Sequence, residues 1–257
     1  VSLLAVDIGN SHTVLGVLED GEVVADWRLS TDARRTADEW AVLLRGLLWR
    51  RIDDIDGIVV CATVPAVLHE WRAMLARHFA GVRSLVVEPG VRTGVTVRMD
   101  NPREVGSDRI INALAAATAH GGPAIVVDFG GTATTFDVVS TEGHYIGGAI
   151  APGLEISLEA LGRRGAQLRK VELARPRTVI AKNTVEALQS GMVFGVASQV
   201  EGIVARMIEE LGVATSEVTV IATGYLADLV VGECRCFTHH EPWLTLQGLS
   251  QVFARNA

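Results

Sequence analysis

Aromatic residues make up only 5% of this 257-residue chain, so its interior has to be filled by Ala, Val, Leu, Ile and Gly. Three cysteines are too few for a disulfide framework and agree with a reducing compartment. One of them, Cys61, lies in the apolar run GIVVCATVP. The other two, Cys234 and Cys236, belong to CRCFTHH beside His239 and His240. That stretch lacks the paired C-x-x-C of zinc sites, and adjacent ligands in an extended segment point to opposite faces, so two reduced thiols are expected there and no metal. There is no long basic run, and the formal net charge is -7, which excludes nucleic acid and an anionic membrane surface as natural partners. No uninterrupted apolar stretch reaches the roughly 18 residues of a membrane span, and the apolar start LLAV meets Asp7 too early for a signal-peptide core. A soluble cytoplasmic protein is expected, with 49% hydrophobic residues to bury a sizeable core or two compact lobes.

What the chain does have is one short motif twice, about half its length apart: VDIGNSHTVLGVLEDG around Asp7 and VDFGGTATTFDVVSTEG around Asp128. Each copy reads as an apolar strand ending in Asp, a Gly-rich turn carrying hydroxyls, and a second apolar strand. Glycine lets successive backbone N–H groups approach an anion closely, and Ser11, His12, Thr13 in one copy and Thr132, Thr134, Thr135 in the other add donors. Aspartate beside phosphate implies a cation between them, and Asp-bound Mg²⁺ on nucleotide phosphates meets that need. Either motif alone also reads as an ordinary hairpin turn, in which Asp, Asn and Gly are the usual residues. The repetition favours phosphate binding.

Periodicity supplies the frame. After the first hairpin and a third strand near VVADWRL, Thr36 and Glu39 form a capping box for a helix with a stripe of Trp40, Val42, Leu43 and Leu47. A strand over 57–64 ends at Pro65, which suits the first turn of a helix carrying Val67, Leu68, Trp71, Leu75 and Phe79. SLVVEPG is a further strand, and DNPREVGSDRIINALAAATAHG a loop feeding a helix from about Gly106 to Ala119. GGP at 121–123 marks the boundary between an N-terminal lobe, 1–120, and a C-terminal lobe, 121–257. The second lobe repeats the plan with strands near 124–129, 134–140 and 144–150, helices near 154–162 and from about Asn183 to Leu211, the strand VTVIATG, and a short helix after Gly224. The pattern implies two α/β lobes with a cleft between them.

In these features the chain resembles the acetate and sugar kinase/actin superfamily of ribonuclease-H-like folds, and most closely the type III pantothenate kinases. The resemblance rests on DIGNSHT, NPREVGSDR at 101–109, DFGGTATTFD, GGAIAPG at 147–153 and KNTVEALQSG at 182–191, and covers nearly the whole chain. It implies ATP-dependent phosphorylation of pantothenate at its primary hydroxyl, Mg²⁺, a monovalent cation such as K⁺ or NH₄⁺, and a homodimer whose pocket is completed at the interface. It also implies roles for residues. Asp108 would be the general base, with Arg109, Met99 and the Gly106-Ser107 backbone around pantothenate and Thr184 at its carboxylate end. Asp7 would support metal and phosphates, with Ile8, Gly9, Asn10, Ser11, His12 and Thr13 as the first nucleotide loop. Asp128 would bind the monovalent cation, with Gly131 and Thr132 toward the nucleotide.

Bottom-up chemistry supports these roles and keeps alternatives beside them. A primary alcohol needs a carboxylate within hydrogen-bond reach to take its proton as the bond to phosphorus forms, although Asp108 at a loop-to-helix junction could equally be an N-cap. Arg109 offers a two-pronged contact that Lys could not match. Thr184 could cap a long helix, bind a carboxylate at its positive end, or both. His12 could donate to phosphate or be a strand-edge residue. The basic stretch Arg163, Arg164, Arg169, Lys170, Arg175, Arg177 is expected to be solvated. Against the family pattern, Met99 stands where an aromatic is common, Ala181 for glycine, Ser107 for alanine and Ser11 for threonine. Gly130-Gly131 replaces a single glycine, which in a hairpin shifts the register or requires a bulge. A noncatalytic nucleotide-binding relative and a superfamily kinase for a sugar or short acid remain the alternatives.

Overall fold

The structure is a computed structural model that describes residues 2–164 and 171–257. The chain divides into two units: the residues through Val95 with Asp100–Ala115 and Trp243–Ala257, and Thr96–Met99 with Ala116–Pro242. The division falls inside a helix and gives the last fifteen residues to the first unit, where the sequence boundary at 121–123 had placed them in the second.

Strict alternation builds the first unit. In β1 (Ser2–Ile8), Leu4, Val6 and Ile8 point to one face of the sheet and Leu3 and Ala5 to the other. With β2 (His12–Glu19), β3 (Glu22–Ser30), β4 (Gly57–Ala62) and β5 (Arg83–Val86) it forms a sheet of order β3-β2-β1-β4-β5, antiparallel through β3-β2-β1 and parallel through β1-β4-β5. The helices α1 (Ala37–Leu48) and α2 (Pro65–His78) cover one face. Thr36 caps α1 as the sequence indicates, its hydroxyl accepting from Glu39 N–H while Glu39 returns to Thr36 N–H. The buried stripe of α1 is Ala37, Trp40, Ala41, Leu44 and Leu48, and Val42, expected on it, is 71% exposed. Trp40 sets this rotation: its ring meets Trp71 of α2 at 5.3 Å, a tilted pair contributing about 0.5–1.5 kcal/mol beyond burial. The opposite face is covered by the start of α3 (Ser107–His120) through Ile111 and Leu114, and by the C-terminal helix Leu244–Arg255 through Leu246, Leu249, Val252 and Phe253.

In the second unit the same order recurs. The strands β6 (Ala124–Asp128), β7 (Ala133–Val139), β8 (Tyr145–Pro152), β9 (Thr219–Thr223) and β10 (His239–His240) lie in the order β10-β9-β6-β7-β8, with the same directions as their counterparts. The helices are α4 (Leu154–Arg164), α5 (Thr184–Leu211) and α6 (Ala227–Val230), so the C-terminal helix is α7. By length and composition α5 could cross a membrane. Its stripe of Val193, Ala197, Val200, Val204 and Ile208 instead packs with Ile125, Val127, Phe136 and Val138 of the sheet, which makes it the core helix of this unit. The two sheets, each five-stranded among the described residues, give the doubled ribonuclease-H-like α/β fold of actin-like ATPases and sugar kinases.

Candidate active site

The first loop is tied at its base from both sides. Gly9 N–H donates to His12 O at 2.9 Å to close the turn. Thr31, just past β3, donates its N–H to Ser11 O at 2.9 Å and its hydroxyl to Gly9 O at 2.8 Å, and shares a hydrogen bond at 2.9 Å with the Thr13 hydroxyl. Thr13 is fully buried and Ile8 sends its side chain into the core, while the Ile8 carbonyl accepts from Thr63. These two side chains therefore hold the loop's shape from within the unit. Asn10 is exposed, and Ser11 and His12 partly so. Sequence reading missed Thr31; a hydroxyl residue directly after Ser30, the register partner of His12, was the available signal.

Parity puts Asp7 on the face that α3 and α7 cover. Its Oδ1 accepts a hydrogen bond from the buried Cys61 thiol at 3.1 Å, the two being cross-strand partners in the β1–β4 ladder. Burial pushes the Cys61 thiol well up, and the negative charges of Asp7 and Asp108 add to it. Asp7, Cys61 and Asp108 are thus neighbours electrostatically, within one unit.

Asp108 is not an N-cap. It is the second residue of α3, whose first bond runs from Ile110 N–H to Gly106 O at 3.3 Å. Burial raises its carboxyl above the usual carboxylate range, although backbone N–H bonds and the positive charge of Arg109 pull the other way. Its Oδ1 is buried and has no hydrogen-bond partner in the structure. A carboxylate held out of water with one oxygen unsatisfied is suited to take a proton from a ligand. Gly106, Ser107 and Arg109 flank it and are partly buried.

The second loop keeps the length of the first. Asp7 pairs with Val14 and Asp128 with Thr135, in ladders that run unbroken, and the nearest irregularity lies on the other side of β7 at Val138/Val139. No bulge or register shift follows from Gly130-Gly131; Gly130 takes the place of Gly9, Gly131 of Asn10 and Thr132 of Ser11. Thr132 is exposed, and Thr134 is fully buried like Thr13. Asp128 Oδ1 accepts from Gly130 N–H at 2.7 Å. Gly224, with φ +89°, presses against this turn: a Cβ there would lie 2.4 Å from Gly130 N and 2.5 Å from Asp128 Oδ1. Gly153 N–H holds the far side through Thr132 O at 2.8 Å. Neither glycine was assigned to the site from sequence.

The remaining candidates belong to the second unit. Met99 is 37% exposed next to Gly147. Thr184 is the exposed first residue of α5, and the cap is Asn183, whose side chain accepts from Glu186 N–H at 2.9 Å. Arg163 and Arg177 are exposed and paired with Glu159 and Glu186 at 3.2 and 2.7 Å, and Arg175 pairs with Glu233. Such pairs contribute little. Arg169 and Lys170 lie outside the described residues. Cys234 and Cys236 are free thiols, and the Cys234 thiol donates to Ala197 O at 3.8 Å. Among the described residues no group of three or more His, Cys, Asp or Glu is gathered for a metal ion. A cation carried by phosphates fits that donor set, since Mg²⁺ keeps several waters and takes one or two carboxylates.

Comparison with known proteins gives a consistent result. A family model described as type III pantothenate kinase matches residues 3–206. A type III pantothenate kinase of Nocardioides sp. is 76% identical over 99% of both chains. Among solved structures, one described as a conserved Baf family transcriptional activator from Campylobacter jejuni superposes with a TM-score of 0.60 at 18% identity, over 98% of each chain. Component A of the (R)-2-hydroxyglutaryl-CoA dehydratase of Acidaminococcus fermentans does so with 0.55 at 14% identity, over 98% of this chain and 99% of its own. At such identities the last two speak to fold alone.

Proposed function

This chain belongs to the type III pantothenate kinase family and phosphorylates pantothenate toward coenzyme A, and we propose that it does so by general-base catalysis at Asp108. The observation that carries the reading is the Asp108 carboxylate, buried at the start of α3 with Oδ1 unpartnered and its affinity for a proton raised. Asp108 accepts the proton of the primary hydroxyl of pantothenate. That oxygen forms its bond to the γ-phosphorus of ATP as the bond to the bridging oxygen breaks, and ADP leaves with the electron pair. Arg109, Ser107 and the Gly106 backbone hold pantothenate, Met99 is the further substrate residue the family resemblance implies, and positioning supplies much of the rate.

The turn of Gly9, Asn10, Ser11 and His12 holds phosphate oxygens, with Gly131 and Thr132 as its counterpart in the second unit. Asp7 supports Mg²⁺, which when bound neutralises charge developing on the phosphates. Asp128, one oxygen already fixed by Gly130 N–H, is the assigned ligand for K⁺ or NH₄⁺. Thr184 receives the pantothenate carboxylate, favoured there by the positive end of a 28-residue helix. The enzyme acts in the cytoplasm as a homodimer. In support of the dimer, Ile150, Val179, Ile180 and Val185 of the second unit are 65%, 64%, 85% and 50% exposed and offer apolar side chains to a partner.

Mass spectrometry of products from a panel of pantothenate, sugars and short hydroxy acids tests the reading. Phosphopantothenate as the dominant product supports it. Phosphorylation of another panel member in preference, or binding of ATP with no phosphorylated product, overturns it.

A further inference from the structure

Cys61 has a position that its burial alone does not account for. Most of its strand neighbours are aliphatic, and Val59, two residues earlier on the same face, packs in the same cluster with Leu3, Ala5, Ile111 and Leu114. At the end of that apolar row the chain changes to a residue with an S–H, opposite the one aspartate of β1, and the thiol donates to Asp7 Oδ1 at 3.1 Å. The second unit repeats the arrangement. Asp128 on β6 stands opposite Thr223 on the parallel neighbour β9, and Thr223 is a buried polar residue at the end of the apolar run Val220, Ile221, Ala222. In both units the residue beside the loop aspartate is buried and carries one X–H group, although the rest of its strand is chosen for packing.

A neutral donor suits a carboxylate that must meet a cation. Lys or Arg in that place would fix the carboxylate but cancel the charge the cation needs, whereas a thiol or hydroxyl fixes its rotamer and leaves the charge in place. A thiol is also the least demanding such group to bury, since free cysteine behaves as a small hydrophobe with a weak donor.

We propose that Cys61 is a positioning residue of the phosphotransfer site: its thiol holds the Asp7 carboxylate in the orientation that engages the Mg²⁺–nucleotide. The proposal rests on the reading of Asp7 as the support for metal and phosphates. It assigns Cys61 no contact with substrate, and its effect appears in the cation and nucleotide terms of the rate, away from pantothenate.

Three variants of the full-length protein test it. Cys61→Val is close in size and removes the donor, Cys61→Ser keeps a donor, and Asp7→Asn removes the carboxylate. Steady-state rates are measured against Mg²⁺, ATP and pantothenate in turn, with thermal unfolding of each variant alongside. Losing one hydrogen bond from a weak thiol donor predicts roughly a three- to tenfold fall in kcat/KM for ATP in Cys61→Val and a higher Mg²⁺ requirement, with KM for pantothenate within about twofold. Cys61→Ser should recover most of that loss. The proposal is overturned if Cys61→Val stays within about twofold of wild type on ATP and Mg²⁺, or if Cys61→Ser falls as far as Cys61→Val. It is overturned as well if the loss is spread equally over pantothenate and follows a lowered Tm, which is the signature of packing alone. Full activity of Asp7→Asn overturns it by a different route, removing the premise about Asp7 on which the role of Cys61 rests.

Discussion

Replacing Asp108 by Asn separates chemistry from stability at one position. The amide keeps the size and shape of the carboxylate, so packing around the start of α3 is preserved and the base is removed. General-base catalysis is worth roughly 10²- to 10⁴-fold, or about 2.7–5.4 kcal/mol of barrier at 1.36 kcal/mol per decade, and kcat should fall by that much. The effect on stability has the opposite sign. Burial raises the folded-state pKa of Asp108 above its ordinary value. Its contribution to stability is therefore complete below the ordinary carboxylate pKa and is lost as pH rises through the raised folded value. At neutral pH the native state carries a poorly compensated buried charge, and the neutral amide relieves it. Asp108→Asn should melt at or above the wild-type Tm while turning over at least a hundredfold more slowly, by about the lower bound of that range. The assay is coupled ADP release at saturating ATP and pantothenate, with differential scanning calorimetry on the same preparations. A kcat within about tenfold of wild type would refute the role of Asp108. A Tm several degrees lower would refute the account of its buried carboxylate.

Other consequences are accessible to the same assays. The acid limb of kcat/KM should titrate above the ordinary carboxylate range, because Asp108 must be ionised to act and its pKa is raised; a limb at the ordinary position contradicts this. Gly224→Ala forces a Cβ to 2.4 Å from Gly130 N at a φ of +89°, and should destabilise by about 1–3 kcal/mol in denaturant melts and raise KM for ATP. Thr31→Val removes two hydrogen bonds at the first loop, to Gly9 O and the Thr13 hydroxyl, and should lose about 1–3 kcal/mol with a KM effect on ATP greater than on pantothenate. Ile180→Glu should yield monomers by sedimentation velocity with little activity; active monomers would remove the interface from the account.

The doubled hairpin was legible because both of its signals are local. Strand alternation and an Asp-Gly turn survive in any tertiary context, so the ladders of Asp7 and Asp128 stand where the pattern indicates. Loop length was harder to judge. Gly130-Gly131 looks like an insertion beside a family pattern, yet the two halves of this chain match each other residue for residue between aspartate and ladder partner. The last helix, α7, escaped because Gly248 and the polar Thr245, Gln247 and Gln251 interrupt its apolar stripe. Gly248 is there because α3 comes close, and a Cβ at that position would meet Ile111 O at 2.5 Å. Helix propensity counts such a glycine as a breaker, when the constraint comes from a helix more than a hundred residues away. The Val42 error in α1 has the same origin, since the large Trp40–Trp71 contact fixes which face turns inward. At the candidate site, single positions such as Asp108 stand out in the sequence as chemistry-bearing residues in motifs. Their supports, Thr31, Cys61, Gly153 and Gly224, do not, since each is recruited through register between segments distant in sequence.

The most direct measurement is ADP release by the wild-type protein with ATP and Mg²⁺, with and without pantothenate, in K⁺ and again in Na⁺. ADP release that requires pantothenate and is faster in K⁺ is the predicted result. Binding of ATP with no pantothenate-dependent ADP would contradict the central claim.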